Sequence, residues 1–231
     1  MLEVMGLNQF YGESHTLWDM TLRAPEGCCT VLMGRNGVGK TTLLECIMGL
    51  QPIHSGEIRY RDQAIEQLAA EARAPMGIGY VPQGRQIFPL LTVEENLQIG
   101  LSARTDGARE VPSFIYELFP VLRDMLHRRG GDLSGGQQQQ LAIGRALVTD
   151  PQFLILDEPT EGIQPNIVAL IGDIVRRLID EMGLTVLLVE QKLPFARRVG
   201  DRFVLLDRGR VVADGEMPEL NDQLIRQYLT V

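Results

Sequence analysis

The stretch from Cys28 to Leu50 constrains this chain more than any other. Cys28 to Met33 is an apolar, β-rich run, and the glycine-rich segment Gly34-Arg35-Asn36-Gly37-Val38-Gly39-Lys40-Thr41-Thr42 follows at once. From Thr42 to Leu50 apolar residues recur at helical spacing until Gly49 and Pro52 stop them. A buried strand, a glycine loop and a helix in immediate succession predict an α/β fold. The loop also fits the pattern G-x-x-x-x-G-K-[ST], whose glycines let successive backbone N–H groups turn inward on phosphates. In that pattern Lys40 reaches the β and γ oxygens of a nucleoside triphosphate, and Thr41 offers its hydroxyl to Mg²⁺. The helix N-terminus adds orphan N–H groups and its dipole to the same anion site.

Bulk properties narrow the class. A chain of 231 residues with 45% hydrophobic content has enough apolar material for one large domain or for a core with an inserted subdomain. No uninterrupted apolar run is long enough to cross a bilayer, and the N-terminus lacks a basic region followed by an apolar one, so a cytoplasmic protein is expected. The net charge of −8 argues against a general nucleic-acid binder. The arginine pairs 128–129, 176–177 and 197–198 read as solvated helix faces. Cys28, Cys29 and Cys46 lie in apolar segments without paired ligand spacing and read as buried, reduced thiols.

Along the chain, Val4 to Phe10 and Thr16 to Arg23 alternate as an N-terminal antiparallel pair around the turn Tyr11-Gly12-Glu13-Ser14. Ile58 to Tyr60 is a further short strand, and Ile78 to Pro82 a buried one ending at Gln83. From Gly84 to about Thr149 the pattern becomes helical, with Thr92-Val-Glu-Glu95 as a capping box ahead of Asn96 to Leu101. Strand signals return at Phe153 to Leu156, Thr185 to Val189 and Phe203 to Leu206, with a helix over Ile167 to Met182. Asp207 to Arg210 reads as a hairpin turn into Val211 to Ala213, and a short helix closes the chain around Leu220 to Leu229.

Two later segments carry chemistry. Ser134-Gly135-Gly136-Gln137 is an S-x-x-Q capping box that starts a helix running to Val148, either as a second anion site or as an ordinary capped helix. Phe153 to Leu156 ends abruptly in Asp157-Glu158, which places two carboxylates at the carboxyl edge of the sheet, where α/β proteins bind ligands. There Asp157 is expected to hold Mg²⁺ and Glu158 to polarise a water beside the γ-phosphate.

Together these motifs make the chain resemble, over essentially its full length, the nucleotide-binding subunits of ATP-binding cassette (ABC) transporters. The resemblance implies a P-loop NTPase core of residues 1–83 and 150–231, with 84–149 as the inserted helical subdomain. It implies that Tyr11 stacks on adenine, that Gly34 to Thr42 is the Walker A loop, and that Gln83 is the lid glutamine. Leu133 to Gln137 becomes the signature and Asp157-Glu158 the Walker B pair, with Thr41, Gln83 and Asp157 around Mg²⁺. ATP and Mg²⁺ are the implied cofactors. The implied partners are a second ATPase subunit placed head to tail, integral membrane permeases reached through a groove near Gln83, and indirectly a substrate-binding protein, on the inner face of the cell membrane. Gly84 to Thr92 is the expected groove lining, although Phe88, Leu90 and Leu91 could equally be interior packing.

Within the family, Gly79 to Pro89 and Leu188-Val-Glu-Gln191 resemble importers of branched-chain amino acids and urea. Met33 to Gly39, Gln137 to Gln140 and Glu158 to Pro165 resemble most the ATPase subunits of urea importers. Two positions depart from the wider pattern. Gln191 stands where the family usually has a switch histidine; its amide can donate a hydrogen bond to the γ-phosphate but cannot become cationic. Gln164 stands where an aspartate is common. Glu158 therefore remains the expected catalytic base, with Gln191 beside it, and pairing with a different ATPase subunit is expected, a homodimer being the alternative. A soluble remodelling ATPase or a P-loop kinase fits less well: the first usually carries two cassettes or a long coiled coil, and the second needs no signature helix.

Overall fold

The computed structural model describes residues 1–229. β1 (Leu2–Tyr11) and β2 (Ser14–Ala24) form the expected antiparallel pair, turning tightly at Gly12-Glu13. β3 (Cys29–Met33) leads through the glycine loop into α1 (Lys40–Met48), which starts two residues before the apolar pattern does. β4 (Ser55–Tyr60), β5 (Gln63–Ala64), the single-turn α2 (Ala70–Arg73) and β6 (Ile78–Val81) follow. Next come α3 (Val93–Leu101), α4 (Ser113–Leu118), α5 (Pro120–Asp124) and α6 (Gly135–Val148). The chain then alternates β7 (Phe153–Asp157), α7 (Pro165–Met182), β8 (Thr185–Val189), α8 (Leu193–Val199) and β9 (Arg202–Asp207) before β10 (Arg210–Glu216) and α9 (Asp222–Tyr228).

The strands form two sheets, one ordered β2-β1-β4-β5 and one ordered β10-β9-β3-β8-β7-β6. In the larger sheet every pairing except β10 with β9 is parallel. A parallel sheet is covered on both faces, which explains why β3, β7 and β8 read as unbroken apolar runs. Their side chains divide by the period-two rule. Leu32, Ile155, Leu187 and Val204 join α1 and the antiparallel sheet in one core, while Val31, Leu154, Val186 and Leu205 join α6, α7 and α8 in the other. All eight are fully buried, so truncating Leu154 or Leu187 to Ala is expected to cost about 2–5 kcal/mol. α7 shows the same logic at helical period: Ile171, Ile174, Val175, Leu178 and Ile179 form its buried stripe, and Gly183 ends it in the left-handed conformation.

A buried cation steadies the far end of α1. Arg73 from α2 is 1% exposed, and its guanidinium donates to the carbonyl oxygens of Cys46 at 2.9 Å, Leu68 at 2.9 Å and Ile47. A positive charge there satisfies the last carbonyls of α1 and complements the negative end of its dipole.

Three expectations need correction. The helical stretch after Gly84 is not continuous, since Gly84 to Leu91 has no helix and Ala103 to Pro112 is irregular. Arg128 and Arg129 lie between α5 and α6 rather than on a helix face, Arg129 pairing with Thr92 through an isolated bridge. The other pairs are helical but charge-balanced: Arg176 meets Asp180 and Asp201, Arg177 meets Glu181, and Arg198 meets Asp173. Cys28 is half-buried, because it precedes β3, whereas Cys29 and Cys46 are buried thiols whose pKa burial pushes well up.

Candidate functional site

Four neighbouring parallel strands, β3, β8, β7 and β6, deliver their carboxyl ends to one cavity of about 580 Å³. The glycine loop follows β3, Gln191 follows β8, Asp157 ends β7, and Gln83 follows β6. Sequence neighbours far apart in number thus become spatial neighbours because the sheet aligns them.

Gly39 caps α1 with φ 107° and no capping side chain, leaving the first-turn N–H groups aimed into the cavity. A Cβ on Gly39 would lie 2.7 Å from Leu17 Cδ2, so both the backbone conformation and the close approach require glycine. Lys40 is 6% exposed and its ammonium donates to the carbonyls of Gly34 at 2.8 Å and Arg35 at 2.9 Å. Burial pulls its pKa down, against the upward pull of Glu158 and Asp157. Val38 packs into the core, Asn36 and Thr42 line the cavity, and the Gly37 backbone completes the loop.

Asp157 is 2% exposed. Its Oδ2 accepts from Thr41 Oγ1 at 3.5 Å, the outer limit of a hydrogen bond, and its Oδ1 is buried without a partner. Burial first, then the adjacent Glu158 charge, raises its pKa to about 6. A buried, under-satisfied carboxylate beside a threonine hydroxyl is what a hard divalent cation would repay. Among the described residues no cluster of three His, Cys, Asp or Glu side chains could hold a metal alone. The arrangement therefore suits Mg²⁺ shared between Asp157, Thr41 and phosphate oxygens.

Glu158 adopts φ 48°, a left-handed conformation that costs a non-glycine residue about 1–2 kcal/mol. Its Oε1 lies 3.9 Å from Lys40 Nζ and accepts from Gln191 Nε2, while Oε2 accepts from Gln83 Nε2 at 3.4 Å. Gln83 Nε2 also reaches Glu161 at 3.0 Å, and Gln191 Nε2 reaches Asn36 Oδ1 at 2.7 Å. Two neutral amides thus hold the carboxylate from either side.

The remaining expected residues sit elsewhere. Ser134, Gly135, Gly136 and Gln137 line a second cavity of about 520 Å³ with Gln164 and Ile167. Their capping box is formed, Ser134 N–H donating to Gln137 Oε1 at 2.9 Å and Gln137 N–H to Ser134 Oγ at 3.4 Å. Gly136 packs closely against α7, since a Cβ would lie 3.0 Å from the Ile167 side chain. Tyr11 is 44% exposed and outside the lining of either cavity; its hydroxyl donates to Glu45 of α1 at 3.1 Å. Burial and the nearby Glu45 raise its pKa. Phe88 and Leu90 are exposed at 44% and 80%, whereas Leu91 is half-buried, which resolves the open choice about them toward surface for the first two.

Thr16, Thr160, Glu161, Glu190 and Lys192 also line the first cavity and were not singled out from sequence. One signal was available: the chain contains just two lysines, Lys40 and Lys192, and both are here.

A family model described as "ABC transporter" matches residues 17–161. The chain is 40% identical over 223 residues to the probable branched-chain amino acid transport ATP-binding protein LivF of Archaeoglobus fulgidus, covering 95% of this chain and 94% of that one. It is 39% identical over 213 residues to the high-affinity branched-chain amino acid transport ATP-binding protein BraG of Pseudomonas aeruginosa, covering 92% and 91%. Among solved structures, a dimeric ATP-binding cassette in a post-hydrolysis state bound to ADP and phosphate superposes with a TM-score of 0.84 at 27% identity, covering 94% of this chain and 99% of the other.

Proposed function

We infer that this chain, which belongs to the ABC transporter family as an ATP-hydrolysing subunit, powers the import of branched-chain amino acids. The observation that carries the hydrolytic part is the convergence of the glycine loop, Gln83, Glu158 and Gln191 on one cavity at four adjacent strand ends, with Asp157 buried against the lining Thr41.

In this reading the triphosphate lies over the N-terminus of α1. Lys40 exchanges its Gly34 and Arg35 carbonyls for β and γ oxygens, and the N–H groups of Gly37 to Thr42 take the rest. When bound, Mg²⁺ neutralises charge on the β and γ phosphates, held by Asp157 and Thr41 with Gln83 near it. Glu158 accepts a proton from the attacking water, and Gln191 fixes its carboxylate without changing charge, its two amide N–H donors going to Glu158 and Asn36. Tyr11, at the end of β1 beside α1, is the adenine contact. The signature residues Ser134 to Gln137 lie in a separate cavity, which supports a head-to-tail dimer in which they close over the partner's nucleotide. Residues 84–149 form the helical subdomain that carries them. Gln164, standing where the family commonly has an aspartate, supports pairing with a different ATPase subunit, with a homodimer as the alternative.

The membrane contact is the exposed apolar run Phe88 to Leu90 near Gln83. Among the described residues no helix is long and apolar enough to cross a membrane, so permease subunits supply the channel. The cargo assignment is supported by the likeness to relatives named for branched-chain amino acid transport. Urea is the second reading, supported by the motif resemblance of Met33 to Gly39, Gln137 to Gln140 and Glu158 to Pro165. Uptake of labelled leucine and labelled urea in source cells with and without this chain decides between them. Loss of leucine uptake alone supports the proposal, loss of urea uptake alone replaces it with the second reading, and loss of neither overturns both cargoes.

A further inference from the structure

We infer that Glu190 is a positioning residue for hydrolysis, which acts by holding Gln191 against Glu158. The inference rests on the role given above to Gln191. Glu190 is 2% exposed yet lines the nucleotide cavity, and nothing in the chemistry so far uses it. A carboxylate so placed is unfavourable unless several donors reach it.

Three do. Its Oε1 accepts from the backbone N–H of Gln191 at 2.8 Å and of Lys192 at 2.9 Å, and its Oε2 accepts from Thr160 Oγ1 at 2.7 Å. The two backbone donors belong to the residues that follow Glu190, so its carboxylate folds the chain back at the end of β8 and fixes where the Gln191 side chain starts. The third donor belongs to the loop after β7, two residues beyond Glu158. Lys192 closes the arrangement by donating from Nζ to the Thr160 carbonyl at 2.7 Å. Thr160 is therefore held twice, by its hydroxyl and by its carbonyl. A flexible ammonium suits that single-point contact, whereas a planar guanidinium is built for paired acceptors.

The loops after β7 and β8 are thus joined through Glu190–Thr160, Lys192–Thr160 and Gln191–Glu158. The Gln191 amide must satisfy Asn36 and Glu158 together, a placement with little tolerance. A shift of about 1 Å in a catalytic group costs on the order of 10²-fold in rate.

The test compares kcat and KM for Mg-ATP in the purified full chain across wild type, Glu190→Ala, Gln191→Ala and the double variant, with ATP-analogue affinity and thermal melting measured alongside. Glu190→Ala is expected to lower kcat by about 10–100-fold with KM within about twofold. Because Glu190 acts through Gln191, the double variant is expected to match Gln191→Ala alone. Multiplicative losses in the double variant, or an unchanged kcat in Glu190→Ala, overturn the inference. An unchanged kcat in Gln191→Ala instead refutes the role of Gln191, and the inference falls with it for that separate reason. Should Glu190→Ala not fold, Thr160→Val removes a single donor at nearly constant shape. It is expected to lower kcat by about 3–10-fold in the wild type and not in the Gln191→Ala background, the loss of one hydrogen bond; equal losses in both overturn the inference.

Discussion

Glu158→Gln isolates one charge at nearly constant shape. Glu158 Oε1 stands 3.9 Å from Lys40 Nζ with side-chain exposures of 13% and 5%. At an effective dielectric near 20 such a pair attracts by about 4 kcal/mol before desolvation. An arriving γ-phosphate has to compete with that attraction for Lys40, and it meets the negative charge of Glu158 at comparable range. Neutralising Glu158 removes both obstacles, and if about a third of the gross term survives relaxation, ATP binds about tenfold tighter. The amide oxygen still accepts from Gln191, while the longer contact with Gln83 and the proton acceptor are lost. Removing a general base costs about 10²–10⁴-fold, or roughly 3–5 kcal/mol of barrier. Titration with a fluorescent ATP analogue reads the gain in affinity, and phosphate release over hours reads the loss of rate. The variant should also accumulate as an ATP-bound dimer on size exclusion. A kcat within tenfold of wild type, or weaker ATP binding, refutes the role assigned to Glu158.

Lys40→Ala removes the buried cation nearest the phosphates, and charged hydrogen bonds worth about 1.5–3 kcal/mol predict at least a tenfold weaker ATP affinity by calorimetry; wild-type affinity would contradict the proposed pose. Gln164→Asp supplies the N-cap that α7 lacks, and about 1 kcal/mol there should raise Tm by about 2–4 °C, a fall in Tm showing that the carboxylate does not reach the helix. Ser134→Arg places a long cation at the N-cap of α6 and should, in mixed dimers, impair hydrolysis at the partner's phosphate loop more than at its own; the reverse pattern rejects the head-to-tail arrangement.

What was legible in the sequence was whatever local chemistry alone decides. β8 appeared at its observed bounds because a strand buried on both faces has one composition, and both capping boxes appeared because their partners are three residues apart. The glycine loop was legible because phosphate cradling restricts the backbone itself. Partnerships across the sheet were not. Nothing in the strings around Gln83, Glu158 and Gln191 says that two amides flank one carboxylate, since that depends on strand order. Arg73 was overlooked for a related reason: an arginine on a single-turn helix looks like surface until the carbonyls of α1 are brought to it. α8 was legible only as a helix face at Arg197-Arg198, its bounds undrawn because Leu193-Pro194 interrupts the apolar period at its start.

The charge pattern of the cavity explains why binding and hydrolysis fall to different elements. Glu158, Glu161 and Glu190 line the cavity, with Asp157 buried against the lining Thr41, and they face two ammonium groups, those of Lys40 and Lys192, so the side chains alone repel a triphosphate. The compensation is nearly all non-titrating: the N–H groups of the loop and the positive end of α1. A divalent ion held at the unpartnered Asp157 oxygen would supply the remainder. Of the four carboxylates, Glu190 is tied up by three donors and Glu161 by Gln83, while burial and Glu158 weaken the charged form of Asp157. Glu158 is the carboxylate held between two neutral amides, Gln191 on Oε1 and Gln83 on Oε2, which add no charge of their own. A cationic residue at 191 would form an ion pair with that carboxylate, whereas the glutamine orients it through a hydrogen bond and adds no charge.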